Sequence, residues 1–421
     1  MNREAQANLS VRDRVYVISK TYSLILLYSA HLAAMPHLDI DKLYKKYLDG
    51  AVRTGDRYEF GLVMMEFLAH LGNAHTRYKD AWIDEYHGQP LGFYALPIEG
   101  KWMVKRSMIE GLEPGDVTVS IDGVDLEKFF REKRRYIPAC GKRQKRLGLF
   151  YSPHLFPKEF SVELENGSEV LINRQTQKIT EPEKATEARW LKQGKLAYIK
   201  IPSFAGGTQA RFEEEAIRYV KEFSNAKALI VDVRGNTGGQ TPERLIKALM
   251  SRPYRWWRQT SPINLSYFRT QYAKLERHER EVGKLNEKGK AYKDAYSDFQ
   301  YTQLLILPEV TQLSNPLYTG QLAVLVDEEC GSSCEDFVMM CKDSGSAVIV
   351  GTRTAGSTGQ PYFWDFNEEI KVYIGAVRVY FPDGSPFEGI GIAPDVEVIP
   401  SSKDLKAGQD VVLEKACELI S

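Results

Sequence analysis

Three uninterrupted apolar runs in the second half of the chain constrain its fold more than any other feature. They are Ala228–Val231 within KALIVDVRG, Leu322–Val326 within QLAVLVDE and Ala347–Val350 within AVIVG. Runs this short, bounded by glycine and acidic residues, read as strands rather than helices. A half-exposed strand alternates apolar and polar residues. These do not alternate, so both faces of each must be buried, as in a sheet covered by helices on both sides. The surroundings agree. LAYIKIPSF reads as a further strand, Ala210–Phe223 as an amphipathic helix, and CEDFVMMCKDSG as a helix after the second run. The expected class is α/β, within an α+β multidomain chain.

With 421 residues the chain has room for two or three domains. Hydrophobic residues make up 43% and charged residues 27%, the balance of a globular protein. Lys+Arg and Asp+Glu both total 56, so the net charge is zero, which argues against a nucleic-acid surface. The N-terminus MNREAQANLSVRDRV has no apolar leader core, and Tyr22–Met35 is broken by Ser23, Ser29 and His31. No membrane span and a cytoplasmic location are therefore expected. Cys140, Cys330, Cys334, Cys341 and Cys417 form an odd, scattered set that fits reduced thiols, with a Cys330–Cys334 pair as the sharper alternative. No spacing suggests a metal site, and no cofactor is expected.

Three regions follow from the pattern. Residues 1–87 read as a helical domain, with apolar positions at helical spacing through Val15, Ile18, Tyr22 and Leu26, and again through Phe60, Met64, Phe67 and Leu68. The pattern stops at LGNAHT, where Gly72 and Asn73 are helix-ending residues. Residues 88–187 read as a β-module of short alternating strands such as WMVKRS, VTVSID and SVELENGSEVLI. Within it, Gly111–Gly123 (GLEPGDVTVSIDG) resembles the core of a PDZ module, which binds peptides by strand addition. A plain β-insert is the alternative. Residues 188–421 hold the α/β core, interrupted at about 268–303 by a charged stretch of helix-forming composition. That stretch reads as a solvated excursion, or alternatively as a substrate lid or dimer arm.

The chemistry concentrates in two loops. Gly331-Ser332-Ser333-Cys334-Glu335 lies where a strand meets a helix, a place that presents a serine outward beside unbonded helix amides. Ordinary N-capping by serine is the competing account. The loop in LIVDVRGNTGGQ (Leu229–Gln240) lets backbone approach a reacting group closely. It lacks the Gly-Lys-Ser/Thr of a phosphate-binding loop.

Together these segments resemble the C-terminal processing (tail-specific) serine peptidases. Asp232-x-Arg234-x-Asn236-x-Gly238-Gly239, Ser332-x-x-Glu335, the Thr354-Ala355-Gly356 turn and Glu388-x-x-Gly391-Ile392-x-Pro394-Asp395 match the family's segments. The resemblance implies a crotonase-like α/β peptidase core with Ser332 as nucleophile. Ser333 and either Gly238 or Gly239 would supply the oxyanion amides. The lysine-using branch carries Lys directly after the Thr-x-Gly turn, where this chain has Ser357. The resemblance therefore points to the histidine-using, tricorn-like branch, with His75 of LGNAHT as base and Glu388 orienting it. Tricorn has serine directly before the histidine. Here Ala74 stands there, so Glu388 must reach His75 directly, through water, or through another hydroxyl such as Thr76. The implied activity is endopeptidase hydrolysis of a peptide or unfolded protein through an acyl-enzyme. A homo-oligomer is left open. The rival reading is a catalytically inactive relative that binds a peptide or a small hydrophobic ligand. A crotonase-type acyl-CoA enzyme finds no supporting pattern.

Overall fold

A computed structural model describes residues 8–176, 179, 185–205, 209–263, 266–297, 303–313 and 315–420. Its N-terminal part is built from helices α1 (Val11–Tyr28), α2 (Ile40–Arg53) and α3 (Arg57–Ala69), followed by strand β1 (Arg77–Asp80). Each helix starts at a side-chain cap: Ser10 accepts from the Asp13 amide, Asp39 from Lys42 and Asp56 from Glu59. Met64, Phe60 and Phe67 of α3 share an apolar cluster with Ile370, Val372 and Ile374, from the far end of the chain. An ion pair in that interface holds Arg57 to Asp80 at 2.8 Å and to Glu369 at 2.7 Å.

The β-module contains strands β2 (Phe93–Ile98), β3 (Lys101–Ser107), β4 (Val117–Ile121), β5 (Glu159–Leu164) and β6 (Glu169–Asn173), paired in that order. The strand-only expectation misses two helices between β4 and β5, α4 (Leu126–Lys133) and α5 (Gly141–Leu149). The signal for α4 is present in the residues: Asp125 caps it, and Leu126, Phe129 and Phe130 form its buried stripe. The signal for α5 is weak, because Gly141 and Gly148 dilute a short segment with few apolar residues.

The core sheet runs β17–β13–β12–β9–β8–β7 across its width, from strands β7 (Glu187–Lys192), β8 (Leu196–Lys200), β9 (Ala228–Asp232), β12 (Gln321–Val326), β13 (Val348–Gly351) and β17 (Val396–Glu397). All neighbours are parallel except β7 against β8, with Asp232 opposite Leu325 and Val326 opposite Gly351. The sheet is covered on both sides. Leu229, Val231 and Val324 face a layer that includes Val220 of α6 (Gln209–Glu222), Leu245 of α7 (Glu243–Leu249) and Phe337 of α10 (Ser333–Ser344). Ala228, Ile230 and Leu325 face Val412, Ala416 and Ile420 of α11 (Val411–Ile420). Burying a Val, Leu or Ile side chain contributes about 1.5–3 kcal/mol, so the absence of alternation has an energetic reason.

The charged stretch forms α8 (Ser266–Val282) and α9 (Glu287–Ser297), and α9 buries none of its side chains. Around it lies a small sheet of β11 (Gln303–Ile306), β10 (Arg258–Pro262) and β16 (Arg378–Tyr380). A third sheet joins β1, β15 (Ile370–Gly375) and β14 (Pro361–Asp365), with Arg77 opposite Tyr373. That pairing fixes the turn before β1, and His75 with it, against the core. No helix among the described residues is long and apolar enough to cross a membrane.

Candidate active site

Strand β12 ends at Val326, and the chain then makes an acidic loop, Asp327–Glu329, before entering α10 through Ser332. Ser332 sits at φ 55°, ψ −130° and makes no side-chain cap bond. A serine held at positive φ at a strand-to-helix turn is the geometry of a nucleophile elbow, and it costs strain that ordinary capping does not require. The surrounding loops hold it there. The Ser332 amide donates to the Ser357 carbonyl at 2.8 Å, and the Gly331 amide to the Asn236 carbonyl at 3.2 Å. Asp327 accepts from the Gly235 amide at 3.0 Å and from the Glu329 amide at 3.1 Å, tying the glycine-rich loop to the elbow.

The two acidic residues that open α10 build the wall opposite. Glu335 is fully buried and accepts from Thr354 Oγ1 at 2.5 Å, the Gly356 amide at 2.7 Å and the Ser357 amide at 2.9 Å. Burial pushes its carboxyl up to about 8, against the pull of those donors. Asp336 accepts from Thr241, Trp257 and Thr358. From the β-module, Arg143 donates to the carbonyls of Arg353, Thr354 and Ala355, and Gln144 to those of Ala355 and Gly356. The Thr354–Ser357 turn is thus gripped from both sides.

His75 reaches this turn from the other end of the sequence. Asn73 Oδ1 accepts from the His75 amide at 3.1 Å and from Thr76 Oγ1 at 3.2 Å, and Thr76 Oγ1 accepts from the Gly375 amide at 2.9 Å. The imidazole then lies with Nε2 at 3.4 Å from Ser332 Oγ and Nδ1 at 3.0 Å from Ser357 Oγ. A separation of 3.4 Å is long for a mature hydrogen bond, but such bonds are commonly slack before substrate arrives. The ring is half-buried and Ser332 is likewise accessible. Burial first, then Arg77, push the imidazole down to about 4.

Ser357 is the residue the sequence reading overlooks. It is conspicuous there as the occupant of the lysine position, and it stands in the structure as the hydroxyl on His75 Nδ1. Thr76, the other hydroxyl considered, is used up in locking the turn. Glu388 accepts no hydrogen bond from His75. Both its carboxylate oxygens are buried without a hydrogen-bond partner, and the Val379 amide faces it without closing a well-formed bond. Burial and then Glu335 hold its carboxyl well above the usual range, while Arg378 pulls it down. Glu388 nevertheless stands behind the site, because the next residue, Gly389, donates to the Gly356 carbonyl at 2.7 Å, one residue before Ser357.

Of the two glycines, Gly238 is bonded away: its amide donates to Asn236 Oδ1 at 2.9 Å. It serves by closeness instead, since a Cβ on it would lie 2.5 Å from Ser332 Cβ. The amides of Gly239 and Ser333 have no acceptor among the described residues. Gly239 adopts φ 145°, and a Cβ there would lie 1.8 Å from the Phe204 carbonyl oxygen. Gly239→Ala is therefore expected to force this loop away from Ser332, losing about 10²–10³ in kcat and about 1–3 kcal/mol of stability. Steady-state kinetics with thermal unfolding checks this.

Among the described residues no group of three or more His, Cys, Asp or Glu is placed to hold a metal ion. The five cysteines are free thiols.

A largely parallel core sheet whose strand-to-helix elbow offers a serine to an imidazole defines an α/β chain with a candidate Ser–His site. Residues 195–398 match the model of Peptidase family S41. Over that segment the chain is similar to the C-terminal processing peptidases. Mature CPAF complexed with lactacystin superimposes with a TM-score of 0.68 at 15% identity, covering 97% of this chain and 99% of that one. The photosystem II D1 C-terminal processing protease gives 0.54 at 17% identity, covering 97% of each. A probable CtpA-like serine protease of Staphylococcus aureus is 24% identical over 229 residues, 52% of this chain and 38% of that protein. The chain thus spans about two fifths of the length of that relative.

Proposed function

We propose that the chain is a serine endopeptidase acting on peptides or unfolded proteins, with Ser332 as nucleophile and His75 as general base. The approach of His75 Nε2 to Ser332 Oγ at 3.4 Å carries this reading. His75 Nε2 takes the hydroxyl proton as Ser332 Oγ attacks the scissile carbonyl carbon. The carbonyl oxygen becomes an oxyanion that the Gly239 and Ser333 amides receive, helped by the positive end of α10. The imidazolium then returns its proton to the leaving amine, and the C–N bond breaks to leave an ester on Ser332. Water, deprotonated by His75, attacks the ester and releases the acid.

Ser357 supports this cycle by fixing the ring. A neutral imidazole must keep Nε2 as acceptor, so its proton sits on Nδ1 and is donated to Ser357 Oγ. Glu388 is assigned the electrostatic role, acting through the Ser357 turn rather than by contact. A positive charge on His75 would act on Glu388 in the same sense as Arg378 does and favour its ionised form.

The reading has a pH signature. A base must be neutral, and His75 has its imidazole lowered to about 4 by burial and Arg77. It therefore stays competent far below the pH at which an ordinary histidine would be protonated. The acid limb of kcat/KM is expected near pH 4, measured on an unfolded protein substrate with the enzyme's fold checked at each pH. An acid limb near 6.5, the ordinary histidine value, would contradict a desolvated His75 as base.

A further inference from the structure

Against a chain-wide charge of zero, one segment stands out: eight of the sixteen residues from Arg131 to Arg146 are Lys or Arg, and Glu132 is the one acid among them. The fold concentrates part of this charge in a cleft of about 370 Å³ between the end of α3 and the start of α5, lined by Glu66, His70, Arg134, Arg135, Lys142 and Lys145. Four cations there meet one carboxylate. Glu66 approaches Arg135 only at 3.9 Å. Lys142 lies 3.5 Å from Glu127, which is already engaged by Arg146 at 2.6 Å. Lys145 donates to the Arg134 carbonyl at 3.1 Å, and burial beside Arg134 holds its ammonium below the usual lysine range. His70 is occupied by the Tyr47 hydroxyl at 2.8 Å. Cations pressed together with too few carboxylates are relieved by an incoming anion.

We propose that this cleft is an exosite that binds an acidic segment of the polypeptide substrate. The inference rests on the peptidase reading for its choice of occupant. A peptide fits better than a nucleic acid, because the positive charge fills one short cleft instead of tracking a phosphate backbone. The position also fits. Helix α5 lines the cleft with Lys142 and Lys145, and through Arg143 and Gln144 the same helix holds the carbonyls of the turn that precedes Ser357. A substrate held at the cleft is thus held one helix away from the catalytic turn.

The test uses full-length Ser332→Ala protein, so that nothing is cleaved, and fluorescein-labelled octapeptides of Glu or Gln read by anisotropy. At low salt the Glu peptide is expected to bind at least about tenfold more tightly than the Gln peptide, and the difference to vanish at high salt. Adding Arg134→Glu and Lys142→Glu, both exposed, removes the preference and leaves thermal unfolding unchanged. In the Ser332-containing protein the same pair of substitutions raises KM for an acidic-tailed substrate, leaves it unchanged for a Gln-tailed one, and does not alter kcat. Equal affinity for the two peptides, or a preference that survives the charge reversal, overturns the proposal. So does tighter binding of a single-stranded DNA octamer than of the Glu peptide. Loss of the exosite alone leaves hydrolysis intact, whereas loss of the peptidase reading leaves peptide binding intact without hydrolysis, so the two failures are distinguishable.

Discussion

Ser332→Ala is expected to remove peptide hydrolysis almost entirely, with kcat falling by about 10⁴–10⁶, and to leave the fold intact. The fold survives because the contacts that fix the elbow belong to the backbone. The Ser332 amide still reaches Ser357, and its carbonyl still accepts from Glu335 at 2.8 Å. Alanine carries the same Cβ into φ 55°, so the strain is neither relieved nor increased. Kinetics on an unfolded protein substrate, with circular dichroism of the same sample, checks both halves. A variant that keeps a tenth of the wild-type rate would place the nucleophile elsewhere.

His75→Ala is expected to cost nearly as much as Ser332→Ala, and the double variant to be no worse than either alone, because nucleophile and base act as one unit. The structural cost is small. The His75 amide keeps its bond to Asn73, and the side chain's partners are two serine hydroxyls. Free imidazole added to the single variant should restore part of the activity, which a purely structural histidine would not permit. Additive losses in the double variant would show that the two residues work in separate steps.

The residues reveal the scaffold more readily than the site. The three apolar runs disclose a sheet buried on both faces because that environment leaves its mark on every position of a strand. Ser332 is legible for a related reason: the elbow is local, built from a strand end, glycine and a helix start within a few residues. Ser357 is different. Its bond to His75 joins positions 282 apart in the chain, and nothing in TAGST marks that hydroxyl as a histidine's partner. Which of Gly238 and Gly239 has a free amide likewise depends on where one side chain points, because Asn236 takes up the Gly238 amide. Glu388 matches the family segment, yet a match cannot tell whether a carboxylate touches an imidazole or stands behind it. Helix α4 is hidden by its neighbours, and α5 by its own glycine-diluted composition. Alternating strands on either side set the expected period, and the short stripe of Leu126, Phe129 and Phe130 is lost within it.

Labelling with a fluorophosphonate probe, followed by mass-spectrometric mapping of the modified peptide, puts the whole account to its shortest trial. It asks whether an activated hydroxyl exists, without needing the natural substrate. One adduct per chain is predicted, on Ser332, abolished by Ser332→Ala and slowed strongly by His75→Ala. Folded protein that takes up no probe, or takes it up on another serine, would contradict the account and favour a ligand-binding relative that has lost catalysis.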